Sequence, residues 1–176
     1  IPSIVYGLFG MLFFVNTLKW GFSVLAGAFT LSIMILPLIM RQTEEALKAV
    51  PDSYREGSFG LGAGKLRTVF RIVLPSAVPG ILAGVILAIG RIVGESAALI
   101  YTSGSGTGNL SFIKNGAFSL TAPLLQSTRT LSVHMYALMS EGLYTDQAHA
   151  TAVILMVLVI GLNALSSYAA KKLTKQ

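Results

Sequence analysis

The chain contains no cysteine, which excludes disulfide scaffolds, thiolate metal sites and cysteine nucleophiles. Charge is almost as scarce. Asp, Glu, Lys and Arg make up 11% of the 176 residues, against about 25% in an ordinary soluble domain, while hydrophobic residues reach 53%. That balance makes lipid the solvent for most of the chain. Acidic residues are the rarer sign, 7 against 13 Lys and Arg, for a formal net charge of +6. In a soluble protein such a surplus would point to nucleic acid. Here the cations flank apolar runs, where the positive-inside rule accounts for them, and no aromatic-basic surface motif accompanies the charge. Nucleic-acid binding is therefore not expected. Two histidines without carboxylates at ligand spacing make no metal site. The chain opens at Ile1, already apolar and without methionine, and reads as a piece of a longer protein.

Four apolar blocks organise the sequence. The first, 1–15, carries no charge but is shorter than the roughly 20 residues a spanning helix needs. It is a truncated span, a tilted one or a re-entrant segment. Asn16 to Gly21, with Lys19 and Trp20, reads as an interfacial turn, because indole and ammonium groups settle at headgroup level. The second block, 22–40, is a confident span with a kink expected near Pro37, whose ring removes one backbone hydrogen bond. The third, 79–101, contains Arg91 and Glu95 and two small-residue spacings, Gly80 with Gly84 and Gly90 with Gly94, which allow close helix packing in lipid. The fourth, 148–170, ends on Lys171, Lys172 and Lys175.

Between the second and third blocks, 41–75 carries Arg41, Lys48, Arg55, Lys65, Arg67 and Arg71, which marks this side as cytoplasmic. Arg41 to Val50 is expected to be a short helix with Glu44 and Lys48 at i,i+4 spacing. Pro51 and Asp52 break it, and Ser53 with Glu56 matches a capping box opening a second helix. Gly57, Gly60, Gly62 and Gly64 then give a sharp turn or a small surface for another backbone. The segment 102–147 holds few cations, Lys114 and Arg129, as an outer face should, and Ser132 to Gly142 has helical periodicity within it. The expected architecture is thus all-α and transmembrane, a helical bundle of about four spans with both ends inside.

Arg91 and Glu95 are the chemistry-bearing pair. One turn apart on a helix, they can simply neutralise each other. A charge at mid-membrane costs about 2.5 to 3.5 kcal/mol on insertion scales, however, so such a pair usually marks a polar pathway. A guanidinium at that depth suits a planar-donor contact to an oxyanion, and the carboxylate would hold its rotamer. Arg41, at the cytoplasmic end of the second block, is either a positive-inside anchor or a second cation at the inner mouth of an anion path. The glycine runs at Gly60 to Gly64 and Gly104 to Gly108 lack G-x-x-x-x-G-K-[ST] and follow no predicted strand. No nucleotide site is expected, so any ATP and Mg belong to another subunit. Ser96, with His134 and His149, offers an intramembrane serine hydrolase only if a histidine reaches the same depth.

At Glu56 the pattern becomes specific. Glu56, Gly57, Ser58, Gly62, Ile72, Leu74 and Pro75 form E-G-S-x-x-x-G-x9-I-x-L-P, which resembles the cytoplasmic EAA loop of binding-protein-dependent ABC importer permeases, with the two alanines replaced by Gly57 and Ser58. IPSIVYGLFG, LPLIMRQTEEAL and GRIVGESAALIYTSG extend the likeness along nearly the whole chain, toward the phosphate-specific, PstA-type branch of that family. Such permeases have about six spans, so the resemblance implies missing N-terminal helices. It also implies a coupling helix docked on an ATPase, with Tyr54, Glu56, Gly57, Ser58, Phe59, Leu61 and Gly62 at the contact. Arg91, Glu95 and Arg41 would then line the phosphate path. The implied partners are a homologous permease subunit, two copies of the ATPase, a periplasmic phosphate-binding protein and membrane lipid, and the implied site is a bacterial or archaeal inner membrane. An importer for another oxyanion or solute, a passive anion channel and the hydrolase are the competing readings.

Overall fold

The structure, a computed structural model, describes residues 2–106, 113–114, 117–118, 123–142 and 144–174. Its elements in chain order are α1 (Ser3–Thr17), α2 (Val24–Lys48), α3 (Asp52–Gly60), α4 (Lys65–Val93), α5 (Ala97–Ile100), strands β1 (Ile113–Lys114) and β2 (Ala117–Phe118), α6 (Leu131–Glu141) and α7 (Thr145–Thr174). The strands pair antiparallel, Ile113 opposite Phe118 and Lys114 opposite Ala117. Among the described residues, three helices are long and apolar enough to cross a membrane: α2, α4 and the Thr145–Tyr168 part of α7. The first apolar block is a shorter apolar helix, α1, whose second half, Met11–Thr17, has π-helical hydrogen bonding.

Several boundaries differ from the sequence reading. Helix α2 continues through Pro37 and on to Lys48, so Arg41 to Lys48 extends the span and is not a separate helix. The expected Glu44–Lys48 pair forms on it at 2.6 Å. The third helix begins at Lys65, well before Pro79, and stops at Val93, so the block 79–101 is divided between α4 and the short α5. Pro75 and Pro79 both lie inside this helix, just after a segment, Val69–Val73, that is π-helical. The capping box is not made: Pro51 stands at the N-cap of α3, with no side-chain cap, and Ser53 lies inside the helix. Ser132 to Gly142 is helical as its periodicity predicts, capped by Thr130, which accepts from Val133 N, and closed by Gly142 at φ +68.

The chain divides into two compact units. The first comprises 1–35 and 91–159. Its centre is the packing of α1 on α5, where a Cβ at Gly7 would stand 2.8 Å from Ala98 Cα. Gly10 similarly faces Thr30 and Thr102. Both threonines are buried and return their hydroxyls to the helix, to Ala26 O and Ala98 O at 2.8 Å. Placing threonine there hides a polar atom without leaving it unsatisfied. Lys19 (φ 55) and Gly21 (φ 65) turn the chain, and Trp20 stacks on Phe14 at 5.4 Å, against Phe29. The interfacial turn is therefore folded onto its own aromatic cluster.

The second unit comprises 36–90 and 160–176. Val50, Val73 and Ala77 form its buried core, with Ala46, Leu47 and Ile81 against them. Here the Gly80 and Gly84 spacing has its expected effect. Side chains at these positions would collide with Ala46 and Gln42, at 2.7 and 2.6 Å, so the glycines admit α2 against α4. Gly90 likewise faces the Asn163 amide of α7.

Candidate functional site

Two places carry the residues singled out above, and each is built differently. The first is α3 and the turn after it. Asp52 lies in its first turn, where a carboxylate favours the helix dipole. The helix then ends in a turn at Gly62, whose φ of +81 only glycine adopts without strain. Around Gly57, Gly60, Gly62 and Gly64 a Cβ would meet nothing within 4 Å. These glycines serve the turn and leave an open surface; they admit no other part of this chain.

Two sets of hydrogen bonds fix α3. Arg55 donates from Nη1 to Val50 O at 3.1 Å and from Nη2 to Leu47 O at 2.8 Å, and it also pairs with Asp52. Leu47 O is one of the carbonyls that the end of α2 leaves without helical partners, and Val50 O belongs to the turn that follows. On the other side, Ser58 Oγ meets Thr68 Oγ1 at 2.8 Å, both buried, and Thr68 also donates to Gly64 O. One arginine and one serine thus tie α3 to the helix before it and the helix after it. Sequence reasoning counted Arg55 only as a positive-inside charge. Its i,i+3 spacing to Asp52 was the available signal; the reach back to Leu47 was not readable.

Of the residues placed at the ATPase contact, Tyr54, Glu56, Gly57, Phe59, Leu61 and Gly62 are exposed. Leu61 is 91% exposed, which is unusual for a leucine on a polar loop and marks it as uncovered by this chain. Ser58 is different. It is 5% exposed and faces Thr68, so its contribution is internal.

The second place is the end of α4. Arg91 lies in the last turn of this helix. The helix stops at Val93, and Glu95 N donates to Ile92 O in the turn that follows. Glu95 therefore never reaches the position one turn beyond Arg91, and the two make no ion pair. The carboxylate instead accepts from Ala98 N at 3.2 Å, starting α5, and Ser132 Oγ donates to Glu95 O at 2.7 Å. Arg91 itself is exposed, with no partner among the described residues.

Arg41 pairs with Glu45 at 3.0 Å on the exposed face of α2, in the second unit, whereas Arg91 belongs to the first. Ser96 makes no hydrogen bond with a histidine among the described residues. His134 is held by Arg129, Nη1 to Nδ1 at 3.2 Å. No group of three His, Cys, Asp or Glu that could hold a metal occurs among the described residues.

Apolar helices of membrane-crossing length, two of them joined through a tied-down short helix, define a multi-pass membrane protein. The chain belongs to the family described as "Binding-protein-dependent transport system inner membrane component", which matches residues 1–175. It is an ABC importer permease by that membership. It is 39% identical to the probable ABC transporter permease protein YqgI of Bacillus subtilis, over 99% of this chain and 62% of that protein. It is 34% identical to the phosphate transport system permease protein PstA homolog of Mycoplasma pneumoniae, over 96% and 25%. Against the phosphate transport system permease protein PstA of Mycobacterium leprae the identity is 35%, over 93% and 51%. The chain thus spans between a quarter and about three fifths of these relatives. No solved structure matches it.

Proposed function

We propose that this chain is a permease subunit of an ATP-driven importer that carries inorganic phosphate across the inner membrane. It works beside a homologous permease, two ATPase subunits that hold the ATP and Mg, and a binding protein that delivers the anion to the 102–147 face. Lysines after α7 would place the C-terminus in the cytoplasm.

The observation that carries the coupling half of this reading is the double anchoring of α3 through Arg55 and through Ser58 with Thr68. A helix bolted to the ends of two spans transmits a push from a bound partner instead of absorbing it. Tyr54, Phe59 and Leu61 are its outward contacts. Phosphate as cargo is supported by the relatives named for phosphate transport and by the unpaired Arg91 guanidinium, whose fork matches a tetrahedral oxyanion.

The test is ATP-dependent uptake of labelled phosphate by proteoliposomes holding the complete transporter, with the Arg91→Gln variant in parallel. Uptake by the wild type, lost in the variant while the ATPase still copurifies, supports the reading. Uptake of sulfate in place of phosphate overturns the cargo, and undiminished uptake by Arg91→Gln overturns the role of that residue.

A further inference from the structure

The first unit holds a second cation that the transport reading does not use. Arg129 is anchored to the turn after α5. Its Nε and Nη2 both donate to Ser105 O, at 3.2 and 3.0 Å, and Nη1 donates to His134 Nδ1 at 3.2 Å. Arginine has no acceptor, so the histidine nitrogen must accept. Of the five guanidinium N–H groups, three are thereby engaged. One remains on each terminal nitrogen.

Those free donors border a cleft of about 240 Å³ lined by Ser105, Arg129, Val133, Tyr136, Ser140 and Glu141. The α6 residues recur at helical spacing, so Val133, Tyr136 or Ala137, and Ser140 present one face to it. Glu141 lines the same cleft and is exposed, yet it makes no ion pair with Arg129. An acid and a base thus line one small cleft without pairing. The guanidinium is held in place by a backbone carbonyl, with no carboxylate to neutralise it.

We propose that this cleft is a receiving site for a protonated tetrahedral oxyanion, hydrogen phosphate, with Arg129 as the cation and Glu141 as acceptor of the ligand's own proton. The proposal rests on the phosphate reading above and adds a means of selection. A guanidinium fork alone takes any tetrahedral oxyanion. A carboxylate facing the bound anion repels one that has no proton to share, as sulfate has none at neutral pH, and accepts a hydrogen bond from one that has. Glu141 is exposed, so solvent weakens this repulsion without reversing its sign, and the preference for the protonated anion follows from the hydrogen bond that only it can donate. The Tyr136 hydroxyl can either donate or accept there, whereas the Ser140 hydroxyl donates to Ala137 O at 2.9 Å. Ser132, at the start of the same helix, bonds the backbone of Glu95, so the cleft is built on the helix that also touches the end of the broken span.

The test is protection of Arg129 from an arginine-reactive dicarbonyl, read by peptide mass spectrometry on the complete transporter in nanodiscs. Inorganic phosphate should protect at a concentration at least tenfold lower than sulfate. In Glu141→Gln, which keeps the shape and removes the acceptor charge, the two anions should protect within about twofold of each other. Equal protection by both in the wild type, protection by neither, or protection by a zwitterionic amino acid in place of phosphate overturns the site. The wild-type measurement needs no variant to fold. Protection of Arg129 by phosphate in a transporter that imports none would leave the site standing and remove the transport reading. Normal phosphate import with Arg129 unprotected would do the reverse.

Discussion

The hydroxyls of Ser58 and Thr68 meet at 2.8 Å in a buried contact between α3 and α4. Removing the Thr68 hydroxyl strands that of Ser58, which costs about 1 to 3 kcal/mol, whereas Thr68 without Ser58 keeps Gly64 O, and replacing both with apolar groups is nearly neutral. Thr68→Val is expected to destabilise the subunit and weaken coupling, seen as ATP hydrolysis without matching uptake. Ser58→Ala with Thr68→Val should recover much of the lost stability in thermal unfolding of the complex. A double variant worse than the sum of the singles would show that the contact is not the source.

Arg55 closes the end of α2 through Leu47 O and Val50 O. Arg55→Lys keeps the charge and loses the fork. It should lower coupled transport severalfold, because an ammonium is a point donor and cannot hold both carbonyls in that geometry. Membrane insertion, set by charge, should be unchanged when measured by topology reporters. If lysine restores full transport, charge alone explains the residue.

Gly80 and Gly84 leave no room for a side chain against Ala46 and Gln42. Gly84→Leu is expected to cost about 1 to 3 kcal/mol by overpacking and to reduce the amount of assembled complex. Gly60→Ala, in open space, is the control and should assemble normally.

The Glu95 carboxylate accepts from Ala98 N at the start of α5. Glu95→Gln retains an acceptor oxygen and discards the charge, while Glu95→Ala discards both. Should the carboxylate serve the anion path, both variants lose phosphate uptake. A capping role alone leaves the glutamine variant active and impairs only the alanine one. Comparison of the two uptake rates separates these cases.

Much of the architecture was legible because lipid imposes a strong filter on sequence. The block 148–170 falls within α7 and the second block overlaps α2 from Val24 to Met40, and the Glu44–Lys48 pair and the Ser132 helix appear at the expected places. The third block was harder. Leu66, Val69 and Phe70 lie among arginines, so charge read as loop what is in fact the first part of α4. At the other end, Gly94 and the capping demand of Glu95 outweighed apolar continuity and ended the helix. The same shift bears on the Arg91 and Glu95 pair: of the two readings, mutual neutralisation needed a continuous helix, and the helix stops at Val93 before Glu95. Tertiary hydrogen bonds such as Arg55 to Leu47 O leave no periodic trace and were invisible for that reason.

The open surroundings of Gly57 and Gly60, together with the lack of any thiol in these 176 residues, have an experimental consequence. A single cysteine at either position would be accommodated without displacing this chain's own atoms, and would be the sole thiol contributed by the segment. A spin label or fluorophore there would report the distance from α3 to a bound subunit while the anchoring hydrogen bonds stay untouched.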